Sequence, residues 1–318
     1  MESIEIPHAR DFGGRLFPPG VRAESAPEIG DWVVTYREAL LEFMARDGAV
    51  LVRGLPIIDA ETFDTFVGAL GLPAFPYADS LSNAHRISFT DRVFSANEAP
   101  AHLSIFLHHE MAQTPRPPSA LFFFCEFAAT EGGATPLCRS DILWEHLCER
   151  DSLFATDCEN KGLRYTNVMA GVADPGSSMG RSWRSTFAAE TREEAERRLE
   201  ELGYVWEWLD GDALRATTPV LPAVKVLPDG RRSFFNQLIA ATQGWKDTRN
   251  DPSRAITFGD GTPLPDNGVA TASAIAEELT FDLMWKPGDV CLVNNDRVMH
   301  GRKPFAGKRR ILAALAAG

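Results

Sequence analysis

Short runs of β-forming residues fall into two groups on either side of a long, differently patterned middle, and this limits the folds open to the chain more than any other feature. The first group is Arg86–Phe94, Ser104–Glu110, Ala120–Cys125 and Thr135–Cys138, divided by turn-forming stretches such as Pro115-Arg116-Pro117-Pro118 and Glu131-Gly132-Gly133. The second is Ala223–Leu227, Arg232–Asn236, Asp289–Asn294 and Arg310–Leu315. Strands this short at this spacing make a sandwich or barrel. Neither group suffices alone, so the halves are expected to complete one another in a single domain spanning 1–318. A length of 318 residues does not oppose this, because decorated β folds reach that size as one unit.

Two helices are predicted ahead of the first group. Val33, Tyr36, Leu40, Phe43 and Met44 recur at helical spacing within Trp32–Arg46, and Asp47-Gly48 ends the pattern before the apolar run Ala49–Val52. Asp59–Leu70 repeats it, opened by Asp59 and closed by Gly71, which gives a helical N-terminal layer over about residues 30–75. In the middle, Ser140–Glu149 and Thr191–Leu202 read as helices, and the segments of about 140–220 and 245–280 as insertions or lids. The Pro-, Gly- and Asp-rich Asp251–Asn267 stretch reads as a surface loop or lid.

On an extended strand, residues two apart face the same way, so His108 and Glu110 converge while His109 points away. A third imidazole completes a facial set of two His and one carboxylate, which leaves positions open on iron(II) for a chelating co-substrate and oxygen. His300 is the candidate. Arg309 and Arg310 follow it, and a guanidinium is the favoured grip on a carboxylate whose position must be fixed. Thr135 is the hydroxyl candidate for the same carboxylate.

These segments together resemble the taurine dioxygenase-like (TauD/TfdA) Fe(II)/2-oxoglutarate-dependent oxygenases, in their clavaminate synthase-like branch. The resemblance runs from Asp47–Gly54 through His108-His109-Glu110, Phe123–Glu126, Glu131–Pro136 and Phe235–Gln237 to His300–Leu312. It implies a double-stranded β-helix, or jelly roll, of α+β character with helices packed outside. It further implies iron at His108, Glu110 and His300, with 2-oxoglutarate on Thr135 and one arginine of the Arg309-Arg310 pair, Arg309 being preferred. Oxygen is the third participant, succinate and carbon dioxide are the co-products, and an unactivated C–H of a small polar metabolite is hydroxylated or desaturated. Glu110 stands where the family usually has Asp, and a retained carboxylate speaks against halogenation. By analogy the substrate is an amino acid or derivative, free or on a carrier protein. A sulfonate is disfavoured because Ala313 or Ala314 stands where a second arginine would grip it.

Three residues are candidates for substrate contact: Asn97, Asn236 and Trp183. For Asn236 a structural hydrogen bond is an equal alternative, and Phe122-Phe123-Phe124 reads as core. Two rival readings stay open, a catalytically silent jelly-roll binding protein and a metal hydrolase or isomerase on a similar barrel.

Charge and cysteine usage bound the partners. Against 44 acidic side chains there are 32 basic ones, a formal charge of -12, so neither a nucleic acid nor an anionic membrane is expected as partner. A local basic pocket for a small dianion is still permitted, and the Arg-rich Arg297–Arg310 segment is the place for it. No run approaches the roughly 18 apolar residues of a membrane span, and Met1–Arg10 lacks the layout of a secretory signal. Five cysteines without a Cys-x-x-Cys pair suggest reduced thiols, hence a cytoplasmic protein. A homo-oligomer is permitted.

Overall fold

The computed structural model describes residues 1–24, 28–77, 80–82, 84, 86–174, 176–177 and 179–317. Asp289–Asn294 and Arg310–Leu315 of the second group interleave with the first, whereas Ala223–Leu227 and Arg232–Asn236 supply only the two-residue strands Lys225–Val226 and Arg232–Ser233, which pair with each other in a separate sheet. One sheet has seven strands in the order Glu2–Ile4, Gly20–Arg22, Ala49–Arg53, Val290–Asn294, Ala120–Phe127, Arg310–Ala316 and Val93–Ser95. Within it only the Gly20–Arg22 and Ala49–Arg53 pairing is parallel. A second sheet has four antiparallel strands in the order Phe281–Leu283, Thr135–Arg139, Val298–Arg302 and Ile105–His108. This is the jelly roll the resemblance implies, with strands from both ends of the chain in each sheet.

Side-chain alternation decides what each face packs against. Along Ala120–Phe127, Leu121, Phe123 and Cys125 meet Leu137, Phe281, Leu283 and Val298 of the other sheet in the central core. Phe122 and Phe124 point outward against the helices Ile29–Asp47 and Ala60–Ala69, on Leu40, Phe63 and Phe66. The outer face of the smaller sheet, through Cys138 and Met299, is covered by Leu143, Phe154, Leu238 and Ile275, which come from four further helices. Both N-terminal helices end as predicted and the second also begins so, while the first begins at Ile29, one turn ahead of Trp32. Gly48, at φ 91°, closes the first by donating its N–H to Met44 O, and Asp59 opens the second in a reciprocal cap with Thr62.

Several strand expectations are corrected. Of Arg86–Phe94 only the end is strand, because Thr90 Oγ1 accepts the N–H groups of Arg92 and Val93 and curls the chain beforehand. Arg232–Asn236 is strand only at Arg232–Ser233. The Asp251–Asn267 stretch is not all loop: it holds a 3-10 turn and the strand Ile256–Phe258, and leads into the helix Asp266–Leu279. That strand joins Leu163–Met169, Ala213–Thr217 and Val205–Leu209 in a third sheet, so the expected insertion at 140–220 is sheet as well as helix. Val298–Arg302, which carries His300, is a strand the sequence reading passed over. No helix among the described residues is long and apolar enough to cross a membrane.

Candidate metal centre

His108 ends the Ile105–His108 strand and is the register partner of His300 on Val298–Arg302, which brings their ring centroids to 4.4 Å. Gly301 makes this pairing possible, since a Cβ there would lie 2.4 Å from the Ile105 carbonyl oxygen. Past His108 the chain leaves the strand, so Glu110 reaches its place by a turn and not by the strand alternation predicted for it. Two buried residues fix that turn. His109 turns away from the cavity and donates from Nδ1 to the Asn295 carbonyl, while its Nε2 accepts from Ser140 Oγ at 2.6 Å. Asn295 clamps the Glu110 backbone: its Oδ1 accepts the Glu110 N–H at 2.8 Å, and its Nδ2 donates to the Glu110 and Pro118 carbonyls at 2.9 and 2.7 Å.

One ligand atom from each of His108, Glu110 and His300 lies within 4.8 Å of the others, a span one metal ion can bridge. His108 donates from Nδ1 to Phe106 O at 2.8 Å, which leaves Nε2 free to coordinate. Burial, reinforced by the neighbouring His300, lowers the His108 imidazole to about 4, so it is neutral at pH 7. Burial would push the Glu110 carboxyl up, but the Arg86 guanidinium and His300 outweigh it and hold the group far below the usual carboxylate range. Arg86 Nη2 lies 3.0 and 2.9 Å from the two Glu110 oxygens. A neutral His108 imidazole and an ionised Glu110 carboxylate are the protonation states in which these groups ligate a divalent cation.

The three groups face a cavity of about 100 Å³ whose wall includes Thr135, Arg309, Arg302 and Asn97. Arg309 donates from Nε to Gly133 O at 2.9 Å and approaches Thr135 Oγ1 with Nη2 at 3.4 Å. Burial, with Arg302 nearby, lowers Arg309 to about 10, so it remains a cation. Gly133, at φ 69°, cannot be replaced cheaply, because a Cβ would lie 3.0 Å from Arg309 Cδ. Thr135 also takes the Trp285 Nε1–H at 2.9 Å. Arg310 turns the other way, to Glu126 at 3.1 Å and over the Phe127 ring, as strand alternation requires. Arg302 spends its Nη atoms on the carbonyls of Asn97, Ala99, Pro100 and Leu103, tying that loop to the cavity wall.

Asn97 therefore lies at the cavity, but the other two candidates for substrate contact do not. Asn236 is fully buried, donates to Ala223 O and accepts from the Leu238 N–H, so the structural alternative describes it. Trp183 is buried in a separate core beside Phe187 and Leu214, with its indole N–H on Asp212 O. Sequence reasoning missed Arg86, Gln113 and Trp245, all of which line the cavity. Arg86 and Trp245 are isolated from the motifs in sequence and only the fold brings them there, whereas Gln113 follows Glu110 by three residues.

Comparison with known proteins agrees with this geometry. The family model described as "Taurine catabolism dioxygenase TauD, TfdA family" matches residues 16–315. A clavaminate synthase-like protein of Arabidopsis thaliana is 37% identical over 320 aligned residues, covering 98% of this chain and 96% of that protein. The dapdiamide synthesis protein DdaC of Enterobacter agglomerans is 28% identical over 292 residues, covering 86% and 83%. The structure of AAD-2 in complex with Mn(II) and N-oxalylglycine shares the fold at a TM-score of 0.53 and 15% identity, over 94% of this chain and 93% of that one. The chain thus belongs to the TauD/TfdA family and is a non-haem iron dioxygenase that uses iron(II), 2-oxoglutarate and oxygen.

Proposed function

We propose that the enzyme hydroxylates or desaturates an unactivated C–H of a small polar metabolite, an amino acid or derivative, free or on a carrier protein, with His108, Glu110 and His300 as the iron ligands. Residues 1–318 act as one catalytic domain in this reading, and the cytoplasm is its setting. The observation that carries it is the convergence of three ligand atoms within 4.8 Å on the wall of a cavity that also presents Arg309 and Thr135. The donor set suits iron(II), being nitrogen and oxygen only, with His108 neutral and Glu110 ionised.

Bound there, iron(II) and 2-oxoglutarate supply oxidative decarboxylation, with succinate and carbon dioxide as co-products. The chain's own residues do the rest. The Arg309 guanidinium, buried and prevented from swinging by its bond to Gly133 O, holds the distal carboxylate of 2-oxoglutarate, and the Thr135 hydroxyl shares that carboxylate. Glu110 keeps its charge because Arg86 stands against it. Phe123, whose ring lies 5.3 Å from that of His300, walls off water behind the ligands.

The test is an anaerobic titration of metal-free protein with iron(II) and 2-oxoglutarate, following the weak visible charge-transfer band of the chelate. The band is expected in wild type, absent in His108→Ala, weakened at least tenfold in 2-oxoglutarate affinity in Arg309→Ala, and unchanged in Arg310→Ala. No band in wild type overturns the reading, and equal losses in the two arginine variants overturn the assignment to Arg309.

A further inference from the structure

One cation on the cavity wall, Arg86, has its acidic partner in a group that the metal needs. Among the described residues lining the cavity, Glu110 is the one carboxylate, against the three guanidinium groups of Arg86, Arg302 and Arg309. Arg302 spends its Nη atoms on loop carbonyls and has the Glu98 carboxylate nearby. Arg309 is assigned above to 2-oxoglutarate. Arg86 bonds Glu110 through Nη2 alone, an ion pair whose side chains are only 7% and 3% exposed.

The other neighbours of Arg86 add no compensating charge. Its guanidinium carbon lies 4.8 Å from the centre of the Tyr77 ring and 5.1 Å from that of Phe94. The guanidinium of Arg181, itself buried, lies 5.3 Å from the same Tyr77 ring, so a second cation stands close by. A guanidinium does not shed its proton, and a buried charge needs a counter-charge. With iron(II) and 2-oxoglutarate bound, the two positive charges of the metal and the one of Arg309 meet the single negative charge of Glu110 and the two of 2-oxoglutarate, and they balance. Arg86 is then left beside a carboxylate whose charge the metal has taken, and its own positive charge faces the cavity.

We propose that Arg86 anchors the carboxylate of the primary substrate, and that this substrate is a free carboxylic acid without an ammonium group, of which an N-acylated amino acid is the type. The proposal rests on the oxygenase reading above and narrows its substrate class. A guanidinium that holds Glu110 by Nη2 still has further N–H bonds to offer the cavity it lines. An ammonium on the same small molecule would meet a wall of three guanidinium groups whose single carboxylate is a metal ligand, and would lose its hydration without a counter-charge. A molecule joined to a carrier protein through its carboxyl has no carboxylate to offer, so the free acid is the form selected. Metal and substrate are coupled as well: Glu110 and the substrate compete for Arg86, and iron, by drawing on the charge of Glu110, releases the guanidinium to the substrate.

Protein loaded anaerobically with iron(II) and 2-oxoglutarate is titrated with N-acetylglycine, N-acetyl-L-alanine and N-acetyl-L-valine, each beside its methyl ester and its free amino acid, following the charge-transfer band and the heat of binding. At least one of the three acids is expected to perturb the band and to bind at least tenfold more tightly than its ester and its free amino acid. The same acid should bind metal-free protein at least tenfold more weakly, because Glu110 then holds Arg86. Arg86→Gln is expected to keep the band and to bring the acid down to the affinity of its ester. An Arg86→Gln variant that binds iron poorly yet keeps the preference for acid over ester overturns the proposal and leaves Arg86 as a positioning residue for Glu110. Equal responses to acid, ester and amino acid, a preference for the free amino acid, or no response to any of them beside a normal band overturn the proposal alone, and this wild-type comparison decides it even where the variant fails to load iron. A wild-type protein without the band overturns the oxygenase reading and the proposal with it.

Discussion

Asn295 illustrates how much of a metal site lies outside its ligands. It makes three side-chain hydrogen bonds, two of them to the backbone of Glu110, and so sets where the carboxylate leaves the main chain. Asn295→Asp keeps shape and acceptor but loses both donors, leaving the Glu110 and Pro118 carbonyls unpaired beside a new buried charge. At about 1–3 kcal/mol for each buried group left unpaired, the loss should be at least about 2 kcal/mol. Urea denaturation of metal-free protein measures it, and an unchanged midpoint would show that the clamp is idle. The sequence exposed the ligand candidates because their types are rare and their order distinctive. It hid Asn295 and Arg86 because an amide or a guanidinium becomes informative only once its partner is known. Which of Arg309 and Arg310 faces the cavity depends on the phase of one strand, invisible in the sequence; the structure places Arg309 on the cavity wall, bonded to Gly133, and turns Arg310 to Glu126.

The Val298–Arg302 strand carries a prediction of its own. Its pairing with Ile105–His108 shifts register between His300 and Arg302, and Gly301 sits at the shift with no room for a side chain. Gly301→Ala must push the strands apart and separate His300 from His108. Iron(II) affinity is expected to fall at least tenfold, about 1.4 kcal/mol, with the far-ultraviolet circular dichroism unchanged; wild-type affinity in this variant would refute the close-approach argument. The same strand shows where local reading stops. All five of its residues are buried, so no polar alternation marks it, and it contains His, Gly and Arg, which no propensity would place in a central strand. By contrast, Ala49–Arg53 and Ala120–Phe127 announce themselves as apolar runs bounded by Gly or Pro-rich turns. The third sheet was overlooked because its strands alternate with helices and hairpins in a stretch whose motifs say nothing of topology.

At the scale of the whole molecule, burial of the imidazoles ties stability to pH. Burial lowers His108 from 6.5 to about 4 and His109 from 6.5 to about 3. With folded values below the unfolded one, the unfolded chain binds more protons throughout that interval. The stabilisation is therefore complete above about pH 6.5 and is lost as pH falls toward 4 and then 3. Metal-free protein should show a urea midpoint that declines steadily from pH 7 to pH 5, and a flat or rising midpoint there would contradict the burial argument. The large-scale layout has one more consequence. The proposed iron and 2-oxoglutarate residues lie at 108–110, 135 and 300–309, on the paired strands and adjoining turns of the two-sheet body, whereas Met179, Gln237, Ala240, Gly244 and Trp245, which line the same cavity, come from the stretch between residues 179 and 245. On that assignment the oxidising chemistry and part of the cavity's shape are carried by different portions of the chain, so drift within the middle stretch can reshape what the cavity admits and leave the oxidising groups untouched.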